Sequence, residues 1–305
     1  MDKNSRIYVA DHEGFLGGVV LAALEKKGFK DVLLKTRKEL DLKRQSQVEE
    51  FFKRAKPEYV FLSYQKSGGI MANIKHPAEF LYDNIIVEAN VIHAAATNGV
   101  KKLLFFGASC MYPEAASQPI KEESFLGGVV EKTSEAYAVA KIAGVELCRA
   151  YEAQHGMKCV AVVPATHYGP GANFDAENSH VLGALIGKFH EALTEGKDEV
   201  VAWGSGKPLR EFIYIEDLAD ACVTLMSGEA SGIFNVGSGE EISIRELAAL
   251  IGKITGYKGE IVFDATKPDG AKRKVLHSGK IKKLGWKPRM MLKEGIEKTY
   301  NLYKK

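Results

Sequence analysis

The chain has 305 residues, of which 46% are hydrophobic, and 42 Lys and Arg against 39 Asp and Glu give a net charge of +3. This length and hydrophobic content are ample for one large domain or two smaller ones. The balanced charge, spread along the chain, argues against nucleic acid and membrane surfaces as partners.

Strands and helices alternate through the first half of the sequence. Short hydrophobic runs predict strands, and longer segments with hydrophobic residues three and four apart predict helices. This alternation is typical of a parallel sheet covered by helices on both faces, so the predicted fold class is α/β, a doubly wound sheet of the Rossmann type. The predicted strands are 7–10, 31–35, 59–64, 102–106 and 159–169, and the predicted helices are 19–28, 43–55, 78–99 and 137–156.

The second half of the sequence is less regular. A polar loop with glycines at 169–180 leads into a predicted helix, and shorter strands and helices follow as far as residue 264. We interpret residues 1–170 as a dinucleotide-binding domain to which a segment near 210–235 returns. Residues 171–305 then form mainly a smaller substrate-binding α/β lobe.

Cysteine usage and the chain's hydrophobic segments bear on its compartment. The cysteines have neither CxxC spacing nor a metal-binding pattern with histidine, and four in so long a chain do not indicate a disulfide framework. The sequence has no signal-peptide pattern and no hydrophobic run of membrane-spanning length. We therefore expect a soluble cytoplasmic protein without a metal ion. Basic residues concentrate between 272 and 283, which fits either a solvated face or an anion site.

The turn after the first predicted strand has glycines three residues apart, Gly14 and Gly17. Such glycines let the backbone approach a pyrophosphate, which also meets the N–H groups of the helix N-terminus. Asp11 stands where a third glycine is usual, so the turn fits a dinucleotide site or a tight turn without a ligand. Arg37 follows the second predicted strand, where an arginine favours a 2′-phosphate and hence NADP, although a plain surface arginine also fits.

Tyr137 and Lys141 are four residues apart on one predicted helix and so share a face. A lysine ammonium near a phenol stabilises the phenolate, which predicts a lowered pKa for Tyr137. A tyrosine of this kind can deliver a proton to a ketone oxygen as hydride reaches the carbon. The pair therefore indicates a reductase.

These motifs and several longer segments resemble the extended short-chain dehydrogenases/reductases, and in their nucleotide-sugar branch the GDP-L-fucose synthases. The resemblance covers nearly the whole chain. It implies a homodimeric epimerase/reductase that uses NADPH to convert GDP-4-keto-6-deoxy-D-mannose, or a closely related GDP-4-keto sugar, to GDP-L-fucose or its counterpart. The segments that carry it are 67–80, 109–113, 137–144, 173–181, 202–212, 234–239 and 262–270.

The resemblance also implies roles for individual residues. Cys110 and His180 would move protons at C3 and C5 beside the 4-keto group, and both side chains can do so near neutral pH. Without the resemblance, Cys110 also fits a small core residue and His180 a residue at the start of a helix. The resemblance implies cofactor contacts for Lys141 and His167 in addition to Gly14, Gly17 and Arg37, and substrate contacts for Lys188, Arg210, Asp269 and Trp203, the last of which also fits a core tryptophan.

The departures from the family pattern concentrate where the dinucleotide is expected. A serine that would bind the keto oxygen is replaced by Ala108, and losing one such donor costs about 10²–10³ in rate. Ser109 is adjacent, but neighbouring residues of a strand point to opposite faces, so it could take this role only if the backbone twists. The other departures are Asp11, Glu13, Ser63, Tyr64, Gln65 and Thr166.

Three functions remain open on the sequence. The first is the bifunctional epimerase/reductase. The second is an epimerase, or a diverged nucleotide-sugar enzyme, whose NADP site has been lost. The third is a paralogue that binds a nucleotide sugar without catalysis.

Overall fold

The computed structural model describes residues 1–176 and 179–305, so residues 177 and 178 of the motif at 173–181 lie outside the described residues. The strands are β1 Ile7–Ala10, β2 Val32–Leu33, β3 Tyr59–Leu62, β4 Lys102–Phe106, β5 Lys158–Pro164, β6 Thr166–Tyr168, β7 Glu199–Trp203, β8 Leu209–Tyr214, β9 Gly232–Val236, β10 Glu241–Ser243, β11 Glu260–Asp264 and β12 Arg273–Lys274. The α-helices are α1 Phe15–Lys26, α2 Gln45–Ala55, α3 Ile70–Lys75, α4 Pro77–Thr97, α5 Glu135–His155, α6 Val181–Glu195, α7 Ile215–Ser227, α8 Ile244–Thr255, α9 Gly279–Lys282 and α10 Leu292–Tyr303.

Six parallel strands form the main sheet, in the order β2-β1-β3-β4-β5-β9. Strands β1 and β4 are buried along their whole length, as expected for hydrophobic strands that are covered on both faces. Helix α1 packs against α7, and α4 packs against α5. The predicted doubly wound α/β fold is therefore confirmed.

A second group of strands surrounds β8. Strands β10 and β12 pair with β8, β6 lies beside it in parallel, and β7 pairs separately with β11. These strands and helices α6, α8 and α10 have a hydrophobic core of their own, with Phe189, Ile251 and Ile296 among its buried residues. Strand β9 is part of the main sheet although it comes late in the chain. The division into two domains stays a prediction.

Three predicted strands have different boundaries in the structure. The strand predicted at 59–64 ends at Leu62. The strand predicted at 159–169 is two strands, because the chain leaves the main sheet after Pro164 and β6 pairs with β8 instead. The strand predicted at 31–35 ends at Leu33, and the next residues turn so that the Thr36 backbone N–H and hydroxyl both donate to Glu39. A hydrogen-bonded turn of this kind ends a strand early.

The architecture sets the position of the candidate site. Parallel strands place their carboxyl ends at one edge of the sheet, where ligands of doubly wound folds bind. Segments that follow β3, β4 and β5 meet residues of α6, β7 and β8 there and line a common cleft. Within the described ranges, no helix is both long and hydrophobic enough to cross a membrane.

Candidate active site

A cleft of about 300 Å³ lies where the main sheet meets the second group of strands. Its walls come from segments far apart in the sequence, including the loop before α3, the turn after β4, the start of α5 and the loop before β12. The predicted site residues that line it are Cys110, Tyr137, His167, His180, Lys188, Trp203, Arg210 and Asp269. Lys141 is buried behind this surface, and Gly14, Gly17 and Arg37 lie elsewhere, at the ends of β1 and β2.

The turn after β4 presents three consecutive residues to the cleft. Strand β4 ends at Phe106, Ala108 is extended with φ −148° and ψ 149°, and Ser109–Met111 form a 3₁₀ turn. Ala108, Ser109 and Cys110 therefore all line the cleft. Ser109 was expected to reach the site only if the backbone twists, and the 3₁₀ turn provides this twist, because the alternation of faces holds only within a strand.

Tyr137 lies in the first turns of α5 with only 8% of its surface exposed. Its ring meets the edge of the Phe80 ring, with centroids 6.2 Å apart. Burial raises the pKa of Tyr137 well above its ordinary value, and Cys110 and Glu88 raise it further. The phenol is thus held as a proton donor, and the lowering of its pKa expected from Lys141 is not found.

Lys141 forms a buried ion pair with Glu88, a partner that the sequence motifs did not indicate. Its Nζ lies 2.9 Å from Oε1 of Glu88 on α4, and the two side chains are 0% and 1% exposed. The same Nζ is 5.6 Å from the Tyr137 ring centroid. Burial raises the pKa of Glu88 to about 7, against the opposing charge of Lys141. Glu88 therefore fixes the position of the ammonium and offsets much of its field at Tyr137.

Cys110 and His180 differ in protonation: the Cys110 side chain carries a proton, and the His180 side chain can accept one. Burial raises the pKa of the Cys110 thiol, and Lys274 and Lys141 oppose this shift. His180 opens into the cleft, but protein atoms surround the ring, and this desolvation together with Lys274 lowers its pKa. At neutral pH His180 is therefore a neutral proton acceptor, and Cys110 is mostly a thiol.

Lys274 belongs to this cleft and not to a solvated face. Its Nζ lies 3.1 Å from Oε2 of Glu131, whose other oxygen accepts a hydrogen bond of 2.7 Å from Thr133. Lys274 influences both Cys110 and His180 electrostatically. Its place in a run of basic residues gave no sign of this, because the pairing residue is far away in the sequence.

The proposed substrate residues form a second group at the far wall. Lys188 Nζ lies 4.8 Å from the Trp203 ring centroid and donates to the Val201 carbonyl oxygen at 2.9 Å. The Asp269 carboxylate accepts hydrogen bonds of 2.7 Å from the backbone N–H and the hydroxyl of Ser205.

Arg210 stands close to this group and is also held in place. It donates to the carbonyl oxygens of Leu209 at 2.9 Å and Asp269 at 3.2 Å. Burial lowers the pKa of this guanidinium. The cleft therefore combines fixed cations, an oriented carboxylate and an aromatic surface, which suits a nucleoside diphosphate.

The turn after β1 partly fits a dinucleotide. Helix α1 starts after Gly14 without a side-chain cap or an acidic residue in its first turn, so its N–H groups can meet an anion. A side chain at Gly17 would overlap the Asp11 carbonyl oxygen, so glycine is needed there for strand–helix packing. The Asp11 carboxylate does not cap the helix but binds Arg37 at 2.7 Å. The N-terminus of α1 and the surroundings of Tyr137 therefore fit a dinucleotide. Arg37, which was predicted to favour a 2′-phosphate, pairs with Asp11 instead.

Comparison with known proteins places this geometry in a family. Residues 7–237 match the model of the NAD dependent epimerase/dehydratase family. GDP-L-fucose synthase 1 of Arabidopsis thaliana is 49% identical over 306 residues, which cover 100% of this chain and 94% of the relative. A GDP-6-OMe-4-keto-L-xylo-heptose reductase from Campylobacter jejuni superposes with a TM-score of 0.93 at 38% identity, over 100% of this chain and 99% of the other. A GDP-mannoheptose C4 reductase from the same organism, with NADP bound, gives 0.90 and 39% over 100% of both chains.

Proposed function

The chain belongs to the NAD-dependent epimerase/dehydratase family of extended short-chain dehydrogenases/reductases, and on this premise we propose that it converts GDP-4-keto-6-deoxy-D-mannose to GDP-L-fucose with NADPH. The proposal includes closely related GDP-4-keto sugars, because two structural relatives act on GDP-heptoses. The observation that carries it is that Cys110, His180 and Tyr137 line one cleft. Epimerisation and reduction can therefore take place on one bound sugar.

Cys110 and His180 serve the epimerisation. The 4-keto group acidifies the neighbouring C–H bonds, so a base removes the proton and leaves an enolate, and an acid returns a proton to the other face. The low pKa of His180 and the high pKa of Cys110 suit a neutral base and a thiol acid at the start of this exchange. Lys274, near both side chains, stabilises the negative charge that develops between them.

Tyr137 serves the reduction. When bound, the dinucleotide supplies the hydride that reaches C4. Tyr137 donates its proton to the C4 oxygen, and its raised pKa keeps that proton in place until the oxygen becomes basic. Lys141, held by Glu88, positions the cofactor ribose, and His167 lines the same end of the cleft.

The GDP moiety is assigned to the second group of residues. Arg210 and Lys188 provide positive charge for the diphosphate, and Trp203 provides a flat hydrophobic surface. Asp269 is oriented by Ser205 and accepts hydrogen bonds from hydroxyl or amino groups of the nucleoside.

The test is an assay with GDP-4-keto-6-deoxy-D-mannose and NADPH. We expect NADPH oxidation, measured by absorbance, together with GDP-L-fucose, identified by chromatography and mass. The matched variants are Tyr137→Phe, which should stop reduction, and Tyr59→Phe, a tyrosine at the far end of the sheet, which should not. Conversion by the Tyr137→Phe variant at the wild-type rate would refute the assignment of Tyr137.

A second candidate function is epimerisation without reduction, and Ala108 favours it. The methyl group of Ala108 leaves the keto oxygen without one hydrogen-bond donor. Incubation in D₂O without NADPH distinguishes the two: deuterium enters C3 or C5 in both cases, but only the bifunctional enzyme then oxidises added NADPH.

We also propose that the protein is a cytoplasmic homodimer. All four cysteines are free thiols, which suits a reducing compartment. Helices α4 and α5 expose hydrophobic side chains, with Tyr82 65% and Val139 44% exposed, and a second copy would cover them. Light scattering after size-exclusion chromatography tests this: we expect twice the chain mass of 33.4 kDa, and Tyr82→Lys should give the monomer.

A further inference from the structure

Asp11 takes a backbone conformation that usually belongs to glycine. Its φ is +64°, in the left-handed region, and only 5% of its surface is exposed. Aspartate is one of the few residues other than glycine that tolerate this region. The chain thus keeps the shape of the phosphate-binding turn while placing a buried carboxylate in it.

This carboxylate binds Arg37 through both oxygens. Arg37 Nε donates to Oδ1 at 2.7 Å, and Nη2 donates to Oδ2 at 3.1 Å. The Arg37 backbone N–H donates to Glu13 Oε2 at 2.9 Å. Bidentate pairing is the strongest form of this interaction, so the guanidinium donors that face the turn are already used.

The charges of Arg37, Asp11 and Glu13 do not suit the 2′-phosphate of NADP. An arginine just past the second strand is the residue that holds the 2′-phosphate of NADP in doubly wound folds. Arg37, Asp11 and Glu13 together carry a net charge of −1. Lys35 adds little, because it pairs with Glu39 on the same loop. A phosphate that took Arg37 from Asp11 would leave a buried carboxylate without its partner, which is costly.

A ribose with a free 2′-hydroxyl meets no such conflict. Hydroxyl groups need acceptors, and the carboxylate oxygens of Asp11 and Glu13 can accept further hydrogen bonds besides those from Arg37. Folds of this class keep an acidic residue for the ribose diol after the second strand, and here Arg37 at that position holds both carboxylates beside it. We propose that Asp11, Arg37 and Glu13 form a specificity-determining cluster through which the chain binds NADH at least as tightly as NADPH. This inference rests on the proposed function, because it concerns the reductant of the same reaction.

Equilibrium titration of the full chain with NADH and with NADPH tests the inference. Binding is measured by the fluorescence of the reduced nicotinamide. We expect a dissociation constant for NADH no larger than that for NADPH. In the double variant Asp11→Asn with Glu13→Gln, both carboxylates become neutral while the left-handed turn is preserved. We expect NADPH to bind at least about tenfold more tightly to this variant, with little change for NADH.

Asp31→Asn is the matched control. Asp31 pairs with Arg6 at 3.0 Å, at the opposite end of β1 and β2, so the variant also neutralises a paired carboxylate, one in place of two, away from the turn. The control should leave the NADPH-to-NADH ratio unchanged, and an equal shift in it would overturn the inference. So would tighter wild-type binding of NADPH than of NADH, although the proposed function would then stand. Failure of both dinucleotides to bind at millimolar concentration would overturn the reductase function, and the inference with it.

Discussion

The Ala108→Ser variant tests directly whether a hydrogen-bond donor at position 108 stabilises the keto oxygen of the substrate. Ala108 lines the cleft and packs beside Cys110 and Tyr137. Its backbone is extended, a conformation that serine adopts without strain. Because residue 108 lines the cleft together with Tyr137, we expect a hydroxyl added there to bind the keto oxygen alongside the Tyr137 phenol.

The expected gain follows from the value of one hydrogen-bond donor at a developing oxyanion. Such a donor is worth about 3–4 kcal/mol, or about 10²–10³ in kcat. The assay is the rate of NADPH oxidation with saturating GDP-4-keto sugar. Because the donor acts chiefly in the transition state, kcat should rise while KM changes little.

Ser109→Ala is the control, because Ser109 lines the same cleft from the 3₁₀ turn. We expect it to lower kcat by less than about tenfold, since the hydrogen-bond donor to the keto oxygen is assigned to position 108 and not to Ser109. No gain from Ala108→Ser, together with a loss of about 10² in Ser109→Ala, would refute the reasoning. It would show that Ser109 already supplies the hydroxyl.

Three further predictions concern Cys110, Glu88 and Gly144. Cys110→Ser should slow deuterium exchange into the 4-keto sugar by about 10²–10⁴, and because Cys110 acts as the thiol acid, wild-type exchange should persist at neutral pH and fall as the pH rises through the raised pKa of the thiol. Glu88→Gln removes one of the charges that raise the pKa of Tyr137, so the alkaline loss of kcat should move to lower pH, and an unchanged pH profile would contradict this. Gly144→Ala places a Cβ against the Phe105 ring, and urea unfolding should show a loss of about 1–3 kcal/mol.

Two controls accompany these variants. Gly18 lies in α1, and a Cβ there would have the His12 carbonyl oxygen as its nearest neighbour at an ordinary 3.4 Å. Gly18→Ala should therefore gain about 0.5–1 kcal/mol from helix propensity, whereas equal effects at Gly18 and Gly144 would contradict the packing argument. Cys222→Ser changes a buried thiol in another helix and should leave deuterium exchange unchanged.

The fold was predictable from local patterns, because hydrophobic strands and helices of different period recur along the first half of the chain. The 3₁₀ turn at Ser109–Met111 was not, because no residue in it breaks the strand pattern by itself. The end of β4 at Phe106 agrees with the predicted strand 102–106, and β5 pairs with β4 as far as this residue. Whether Ala108 or Ser109 faces the cleft depends instead on the path of the chain after β4, which tertiary contacts decide and local sequence patterns do not.

The basic residues of the site show a second limit of prediction from sequence. The sequence can indicate where a charged side chain stands, but not which partner offsets its charge. The sequence motifs predicted cofactor contacts for Lys141 and Arg37, but their partners Glu88 and Asp11 are 53 and 26 residues away. A cation that already holds a carboxylate offers a new anion much less attraction than a free one, and it costs more to displace. A motif therefore fixes where a positive side chain stands, whereas the fold decides how much of its charge a ligand meets. At Lys141, pairing with Glu88 leaves a rigid support for Tyr137 without net charge. At Arg37, pairing with Asp11 beside Glu13 leaves a net negative charge that repels a 2′-phosphate.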